Sequence, residues 1–245
     1  MKVAILSDVH ANSEALSAVL RDIDNQGITK ILIAGDLIGY YYQPKNVLEI
    51  LKDRDVIVCK GNHENLFEKW CSVSEAEQQQ LKKKYGSGFK IAQYELTIDQ
   101  KEWLFSLRHP VFEVIDGKHF CMAHGSPWNI DQYIYFDQIA QAEDKFGQLS
   151  EALDVVILGH THYPGIKKIG QLMVINPGSV GQPRSGHLDD RQIGATVRAH
   201  WAIIETRDLT VSFKTTLYDA SLLFQEIDAH DADNPYLKNV LCRTE

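Results

Sequence analysis

The chain has 245 residues, 44% of them hydrophobic and 24% charged, which is globular composition and excludes disorder. A formal net charge of −8, with lysine and arginine scattered along the chain, excludes an extended basic face for nucleic acid. No apolar stretch approaches the roughly 20 residues of a membrane span, and Cys59, Cys71, Cys121 and Cys242 form no Cys-x-x-Cys pair; with no signal peptide, a soluble cytoplasmic protein with reduced thiols is expected.

In chain order, Lys2 to Ser7 reads as a buried strand, and Ser13 to Asp24 as a helix with Leu16, Val19, Leu20 and Ile23 on one face. Gly27 supplies its stop. A strand over Ile31 to Ala34, a helix over Pro44 to Leu51 and a strand over Val56 to Cys59 come next. This β-α-β-α-β rhythm predicts crossover helices and a largely parallel sheet. Ser74 and Glu77 form a capping box that opens a charged helix running past Lys84, and Asp99 to Leu107 predicts another helix. Strands then dominate. Val111 to Ile115 and His119 to Ala123 flank the turn Asp116-Gly117, Val155 to Leu158 is wholly apolar, and Gly170-Gln171 and Arg207-Asp208 mark two further hairpins. From Ser221 the chain reads as helix, interrupted at Asn234-Pro235. No repeat or linker divides the chain, so one mixed α/β domain over residues 1–245 is expected.

The chemistry sits in the residues directly after the strands. The strands run into Asp8-Val9-His10, Gly35-Asp36, Gly61-Asn62-His63-Glu64, His124-Gly125 and Gly159-His160-Thr161-His162. In open α/β sheets ligands gather at the carboxyl ends of strands. Carboxylate, imidazole and amide donors without cysteine suit divalent Mn, Fe, Zn, Ni or Mg, with Mn first, and not a structural thiolate zinc. On an extended strand His160 and His162 would point the same way, roughly 6–7 Å apart, and could serve two ions about 3.5–4 Å apart. Asp36 is the natural bridge between them.

This ordered set, Asp8-x-His10, Gly35-Asp36, Gly61-Asn62-His63-Glu64, His124 and Gly159-His160-Thr161-His162, resembles the calcineurin-like metallophosphoesterase superfamily. The segment Asn176-Pro-Gly-Ser-Val-Gly-Gln-Pro-Arg184 is similar to that of its small bacterial and archaeal phosphodiesterase branch. The resemblance implies a four-layer α-β-β-α sandwich of two mixed β-sheets flanked by helices. It also implies two divalent ions: Asp8, His10, Asp36 and His162 would hold one, and Asp36, Asn62, His124 and His160 the other. A bridging water would attack phosphorus in line, while His63 gives a proton to the leaving oxygen or stabilises its charge. That role needs an imidazolium near neutral pH, which Glu64 would help to maintain. Leu37-Ile38-Gly39-Tyr40 stands where the protein phosphatases of the superfamily carry Asp-Arg-Gly, and Lys60 where they often carry arginine. A phosphodiester, of nucleotide or dinucleoside polyphosphate type, is therefore the expected substrate. A phosphomonoesterase of the same fold and a non-catalytic protein-binding scaffold stay open as alternatives.

Arg184 is a candidate phosphate contact and Tyr40 a candidate stacking surface for a nucleobase, each balanced against a solvated or packed role. Trp128 and the neighbouring Tyr41 and Tyr42 carry the same balance. His109, His119, His187, His200 and His230 fall outside the motifs and read as structural. Ser126 lacks a nucleophile elbow. Gly86-Ser87-Gly88 lacks the third glycine of a dinucleotide loop, and Lys82-Lys83-Lys84 reads as a solvated helix face. Exposed hairpin edges would allow copies of the chain to associate.

Overall fold

The apolar and amphipathic segments at the start of the chain become β1 (Lys2–Leu6), α1 (Ser13–Asn25), β2 (Lys30–Ile33), α2 (Pro44–Leu51) and β3 (Val56–Val58) in a computed structural model that describes residues 1–184 and 195–241. His187 and Cys242 lie outside the described residues. Helix α1 begins where Asn12 Oδ1 accepts from the Ala15 N–H at 3.1 Å, and its Leu16, Val19, Leu20 and Ile23 are buried. It ends against Gly27, whose φ is +66°.

Four helices then precede the next strand: α3 (Asn62–Ser72), α4 (Glu75–Tyr85), α5 (Gly88–Glu95) and α6 (Ile98–Ser106). Sequence periodicity predicts α4 and α6 but not α3 or α5. The predicted Ser74–Glu77 cap forms, with Glu77 accepting from the Ser74 N–H and hydroxyl, and at the start of α6 Thr97 and Gln100 cap each other. Gly86 ends α4 with φ +78°, and Gly88 opens α5 against the Tyr41 carbonyl, so the Gly-Ser-Gly run serves helix junctions.

The remaining elements are β4 (Val111–Ile115), β5 (Lys118–Met122), a 3-10 turn over Ile139–Ala142, α7 (Glu143–Leu149), β6 (Val155–Ile157), β7 (Gly165–Ile169), β8 (Leu172–Asn176), β9 (Thr196–Glu205), β10 (Thr210–Asp219), α8 (Ser221–His230) and α9 (Tyr236–Asn239). They complete two five-stranded sheets, ordered β10-β9-β1-β2-β3 and β4-β5-β6-β8-β7. Strands β1, β2 and β3 are parallel, as are β5, β6 and β8. Antiparallel hairpin strands flank each parallel core, so both sheets are mixed rather than largely parallel. Two-residue turns at Asp116-Gly117 and Gly170-Gln171 make two of these hairpins a short way to extend the second sheet.

Strand alternation decides which layer each side chain joins. Val3 and Ile5 of β1 face Val155 and Ile157 of β6 in the core between the sheets. Ala4 and Leu6 turn the other way, under α1, α2, α3, α5 and the C-terminal helices. On the second sheet Val156 and Val174 face away from the sandwich, towards Phe146 of α7. The result is helices, sheet, sheet, helices: the expected α/β four-layer sandwich.

Phe89 of α5 ties several of these pieces together. Its ring centroid lies 6.3 Å from Phe67, 6.2 Å from Trp70 and 5.4 Å from His63, and the residue is 1% exposed. Phe89→Ala is expected to cost about 3–5 kcal/mol, read as a lowered urea midpoint. A loss under about 1 kcal/mol, the level of a tolerated core swap, would show that α5 is not part of the core.

Candidate metal centre

Both sheets present strand ends at one edge of the sandwich. Asp8 and His10 follow β1, Asp36 follows β2, Asn62 opens α3 after β3, His124 follows β5, and His160 and His162 follow β6. All seven are buried.

Five of them have a left-handed backbone: Asp8 (φ 55°), His10 (52°), Asp36 (55°), His160 (67°) and His162 (63°). Such a conformation costs a non-glycine residue about 1–3 kcal/mol and persists only where its surroundings over-determine it. Here the loops hydrogen-bond to one another. The His10 N–H donates to Asp36 O at 2.9 Å, Gly181 N–H to Asp8 O at 2.9 Å, and Gly159 N–H to His124 O at 2.7 Å. Asn176 Nδ2 donates to Gly159 O at 2.7 Å and to Thr161 Oγ1 at 3.1 Å, pinning the turn that carries both histidines. His160 and His162 therefore project from this turn, not from an extended strand as their spacing suggests. Strand β6 has already ended at Ile157.

The side chains converge tightly. His162 Nε2 lies 3.1 Å from His10 Nε2 and 3.3 Å from Asp8 Oδ1. Asp36 Oδ2 lies 3.7 Å from His10 Nε2 and 3.2 Å from His124 Nε2, which is also 2.9 Å from Asn62 Oδ1. Three groups of donors, Asp8-His10-His162, His10-Asp36-His63 and Asp8-Asp36-His124, each fall within 4.8 Å.

Backbone carbonyls set the tautomers. Nδ1 of His10 faces Ile38 O at 3.3 Å, that of His124 faces Ala34 O at 2.8 Å, and that of His162 faces Gln182 O at 2.6 Å. A carbonyl only accepts, so each Nδ1 carries a proton and each Nε2 is turned inward, able to ligate a metal once it gives up any proton of its own. The Nε2 atoms of His10 and His162 then oppose each other, and that of His124 opposes an amide oxygen and a carboxylate. Only positive charge between these atoms makes the arrangement favourable, so the donor set fits divalent metal binding.

Titration obeys the same logic. Burial pushes the Asp8 and Asp36 carboxyls up, yet the surrounding imidazoles outweigh it and hold both well below the usual range. Burial pulls His124 down, but Asp36 and Asp8 together raise it to about 10. Burial, then the neighbouring His63 charge, keeps His10 well below its ordinary value.

His160 stands apart from the three donor groups. Its backbone N–H donates to Asp8 Oδ2 at 3.2 Å, its ring packs edge-on against His124, and its buried Nε2 has no hydrogen-bond partner. His63 is packed between Tyr40, Tyr85 and Phe89, and its Nδ1 is also buried without a partner. Burial drives its pKa down to about 4, so the expected imidazolium is opposed by the protein itself.

Glu64 does not pair with His63. Its carboxylate accepts backbone N–H groups of Asp36 (3.0 Å), Leu37 (2.9 Å), Ile38 (3.3 Å) and Gly61 (2.8 Å). Burial and the Asp36 charge push its pKa up to about 7, and the Gly61 and Asp36 N–H groups pull against them. Two glycines leave room for the arrangement. A Cβ on Gly61 would sit 2.1 Å from Asp36 Oδ1, and one on Gly39 (φ +89°) would sit 2.0 Å from His63 Nδ1.

A cleft of about 320 Å³ opens over the centre, with Asp36, Asn62, His63, His160 and His162 among its lining. Its rim is Tyr40, Lys84, Tyr85, Tyr133, Arg184 and Tyr236. Tyr40, a predicted stacking surface, has its ring 4.7 Å from His10 and 4.5 Å from His63, so it braces both imidazoles while reaching the cleft. Lys84 belongs to the cleft rather than to a featureless solvated face. Tyr85, Tyr133 and Tyr236 carry no motif; only long-range packing assembles them. Among the described residues, no helix is long and apolar enough to cross a membrane.

Residues 1–194 match the family described as the calcineurin-like phosphoesterase superfamily domain, and the chain belongs to that superfamily. A metallophosphoesterase from Sphaerobacter thermophilus superposes with a TM-score of 0.75 at 26% identity, covering 99% of this chain and 98% of its own. A hypothetical protein from Pyrococcus horikoshii OT3 shares the fold with a TM-score of 0.78 at 21% identity over 100% and 99% of the two chains. The phosphodiesterase YfcE of Escherichia coli strain K12 is 25% identical over 198 residues, 76% of this chain and 83% of YfcE. The chain is thus a metallophosphoesterase-family protein of the small bacterial and archaeal type.

Asp36 is close to two donor groups at once. Asp36→Asn is expected to remove more than half of the bound divalent metal, measured by elemental analysis of protein purified with added Mn²⁺. Wild-type metal content in this variant would rule out a carboxylate shared between ions.

Proposed function

We propose that the chain hydrolyses phosphodiester bonds with two divalent cations, Mn first among them, acting on small nucleotide-like substrates in the cytoplasm. Asp8, His10, Asp36 and His162 would hold one cation, and Asp36, Asn62, His124 and His160 the other. The observation that carries this reading is the position of Asp36 Oδ2, 3.7 Å from the imidazole of one group and 3.2 Å from that of the other. The unpartnered Nε2 of His160 supports a further ligand on the second side.

When bound, the cations would supply charge neutralisation at the phosphoryl oxygens and an acidified water. The chain's own residues do the rest. The carbonyls of Ile38, Ala34 and Gln182 hold three imidazoles with their Nε2 atoms inward. His63, braced by Tyr40 and with its backbone N–H on Asp36 Oδ1 at 2.8 Å, offers an N–H to the leaving oxygen. With its pKa driven down to about 4, His63 stabilises that oxygen by hydrogen bonding more readily than by giving up a proton from an imidazolium.

A diester is favoured over a monoester on two grounds. YfcE, a relative at 25% identity, is a phosphodiesterase. The Leu37-Ile38-Gly39-Tyr40 stretch also lacks the arginine that the protein phosphatases of the superfamily carry there.

Hydrolysis of bis-p-nitrophenyl phosphate by protein loaded with Mn²⁺, abolished by chelator, is the expected result. Turnover of p-nitrophenyl phosphate alone would reassign the chain as a monoesterase. His63→Ala should retain its metal and lose roughly 10²–10⁴ in kcat on poor leaving groups, and less on p-nitrophenyl esters. Equal loss on both would show that His63 positions the substrate instead.

A further inference from the structure

Arg184 and Lys84 bring two positive charges to the cleft that the metal centre does not use. Asp36 is the one carboxylate among the described residues that line it; its Oδ2 faces the imidazoles of His10 and His124, and its Oδ1 accepts from the His63 backbone N–H. Arg184 is half-buried, and its Nη2 donates to the Tyr236 hydroxyl at 2.9 Å. Its Nε is buried with no hydrogen-bond partner. The groups that most affect its charge, beyond burial itself, are the phenols of Tyr236, Tyr40, Tyr133 and Tyr135, which are neutral at physiological pH. Among the described residues no carboxylate pairs with it. Lys84 is exposed, its Nζ 4.9 Å from the centre of the Tyr85 ring, and it too has no ion pair among the described residues.

A guanidinium held by a phenol on the lining of a cleft, with no carboxylate beside it among the described residues, can take a planar pair of oxygens. Phosphate supplies them, and arginine binds it bidentately while lysine acts as a point charge. Cations held by the residues of the metal centre would serve the phosphate under attack. A cleft of about 320 Å³ exceeds what that one group fills, and lies at the lower end of small-molecule sites of roughly 300–1,000 Å³.

We infer that Arg184 and Lys84 form a subsite for a second phosphate joined to the scissile one, so that the substrate is a phosphoanhydride-bridged diester rather than a diester of a single phosphate. The inference rests on the phosphodiesterase reading above. In the reaction water adds its oxygen to one phosphorus, the bond from that phosphorus to the bridging oxygen breaks, and the bridging oxygen leaves on the second phosphate. Two terminal phosphate esters result, and the water's protons are shared between them and solvent. Arg184 and Lys84 hold the non-bridging oxygens of the departing phosphate as its charge grows, with Tyr236 keeping the guanidinium in place.

The test compares diadenosine diphosphate, which has two joined phosphates, with p-nitrophenyl thymidine 5′-phosphate, which has one, using Mn²⁺-loaded protein. Arg184→Gln should lose roughly 10²-fold in kcat/KM on the first substrate, the scale of a charge-assisted bidentate contact, and at least tenfold less than that on the second. Lys84→Gln, at an exposed position that folding does not depend on, should show the same preference at roughly tenfold. Metal content and unfolding midpoint of both variants should match the wild type. Equal losses on the two substrates, or no loss on either, would overturn the subsite. So would a wild-type protein that cleaves the one-phosphate diester and ignores the other, which leaves the phosphodiesterase reading intact. A wild type that cleaves neither removes that reading, and the subsite with it.

Discussion

The carboxylate of Glu64 is the contact on which the rest of the centre depends. It lies buried at the start of α3 and gathers the N–H groups of Gly61 and of three consecutive residues after β2. Hydrogen bonds to a charged acceptor contribute roughly 1.5–3 kcal/mol each, and orphaned backbone donors cost about as much when the acceptor is removed. Through this one group the β2 loop and the β3–α3 junction become a single rigid piece. Asp36 is then held with one oxygen on the His63 N–H and the other towards His10 and His124. His63 comes with it, because it is the residue before Glu64 on the same helical turn.

That clamp explains how the site tolerates so much local strain. Left-handed backbones at five donor positions and a crowd of mutually opposed donor atoms are both unfavourable in isolation. They persist because the loops are cross-linked to each other and not to the helices alone. Ser179 Oγ donates to Asp8 O at 2.8 Å, Val180 N–H to Ser7 O at 3.0 Å, and the Gln182 carbonyl accepts a hydrogen bond from His162 Nδ1. The Asn-Pro-Gly-Ser-Val-Gly-Gln run after β8 thus acts as a brace under Asp8 and His162. The hydrogen-bonded loops hold the strained turns, while the opposed donor atoms of the side chains suit a divalent cation at the centre.

Much of this was legible in the sequence because it depends on short-range pattern. Strand ends followed by Asp, His and Asn need only local order to be read, and Asp116-Gly117 or Gly170-Gln171 announce their hairpins by turn chemistry. Helix α3 was hidden because its first residues read as ligands, although Glu64 three positions after Gly61 and the Phe67–Trp70 spacing carried a helical signal. Helix α5 buries few side chains, Phe89 and Ala92 chief among them, and starts at a glycine, so neither periodicity nor propensity marks it. The true geometry of His160 and His162 could not follow from a two-residue spacing, since a left-handed turn directs side chains differently from a strand.

Lys84 shows where local reading fails for a deeper reason. Helix α4 buries none of its residues, so by every local measure its lysines are solvent-facing. Whether such a charge matters depends on what other parts of the fold stand opposite. Here Tyr133 arrives from the segment after β5, Tyr236 from α9, and Arg184 from beyond the brace after β8. Four chain segments far apart in sequence thus enclose a volume whose floor carries the Asp and His donor groups and whose rim carries Arg184 and Lys84, neither paired with a carboxylate among the described residues. The family fold fixes the floor, since it belongs to strand ends shared by the whole sandwich. The rim is built from loops and helix ends, where substrate choice is free to vary without disturbing the sheets.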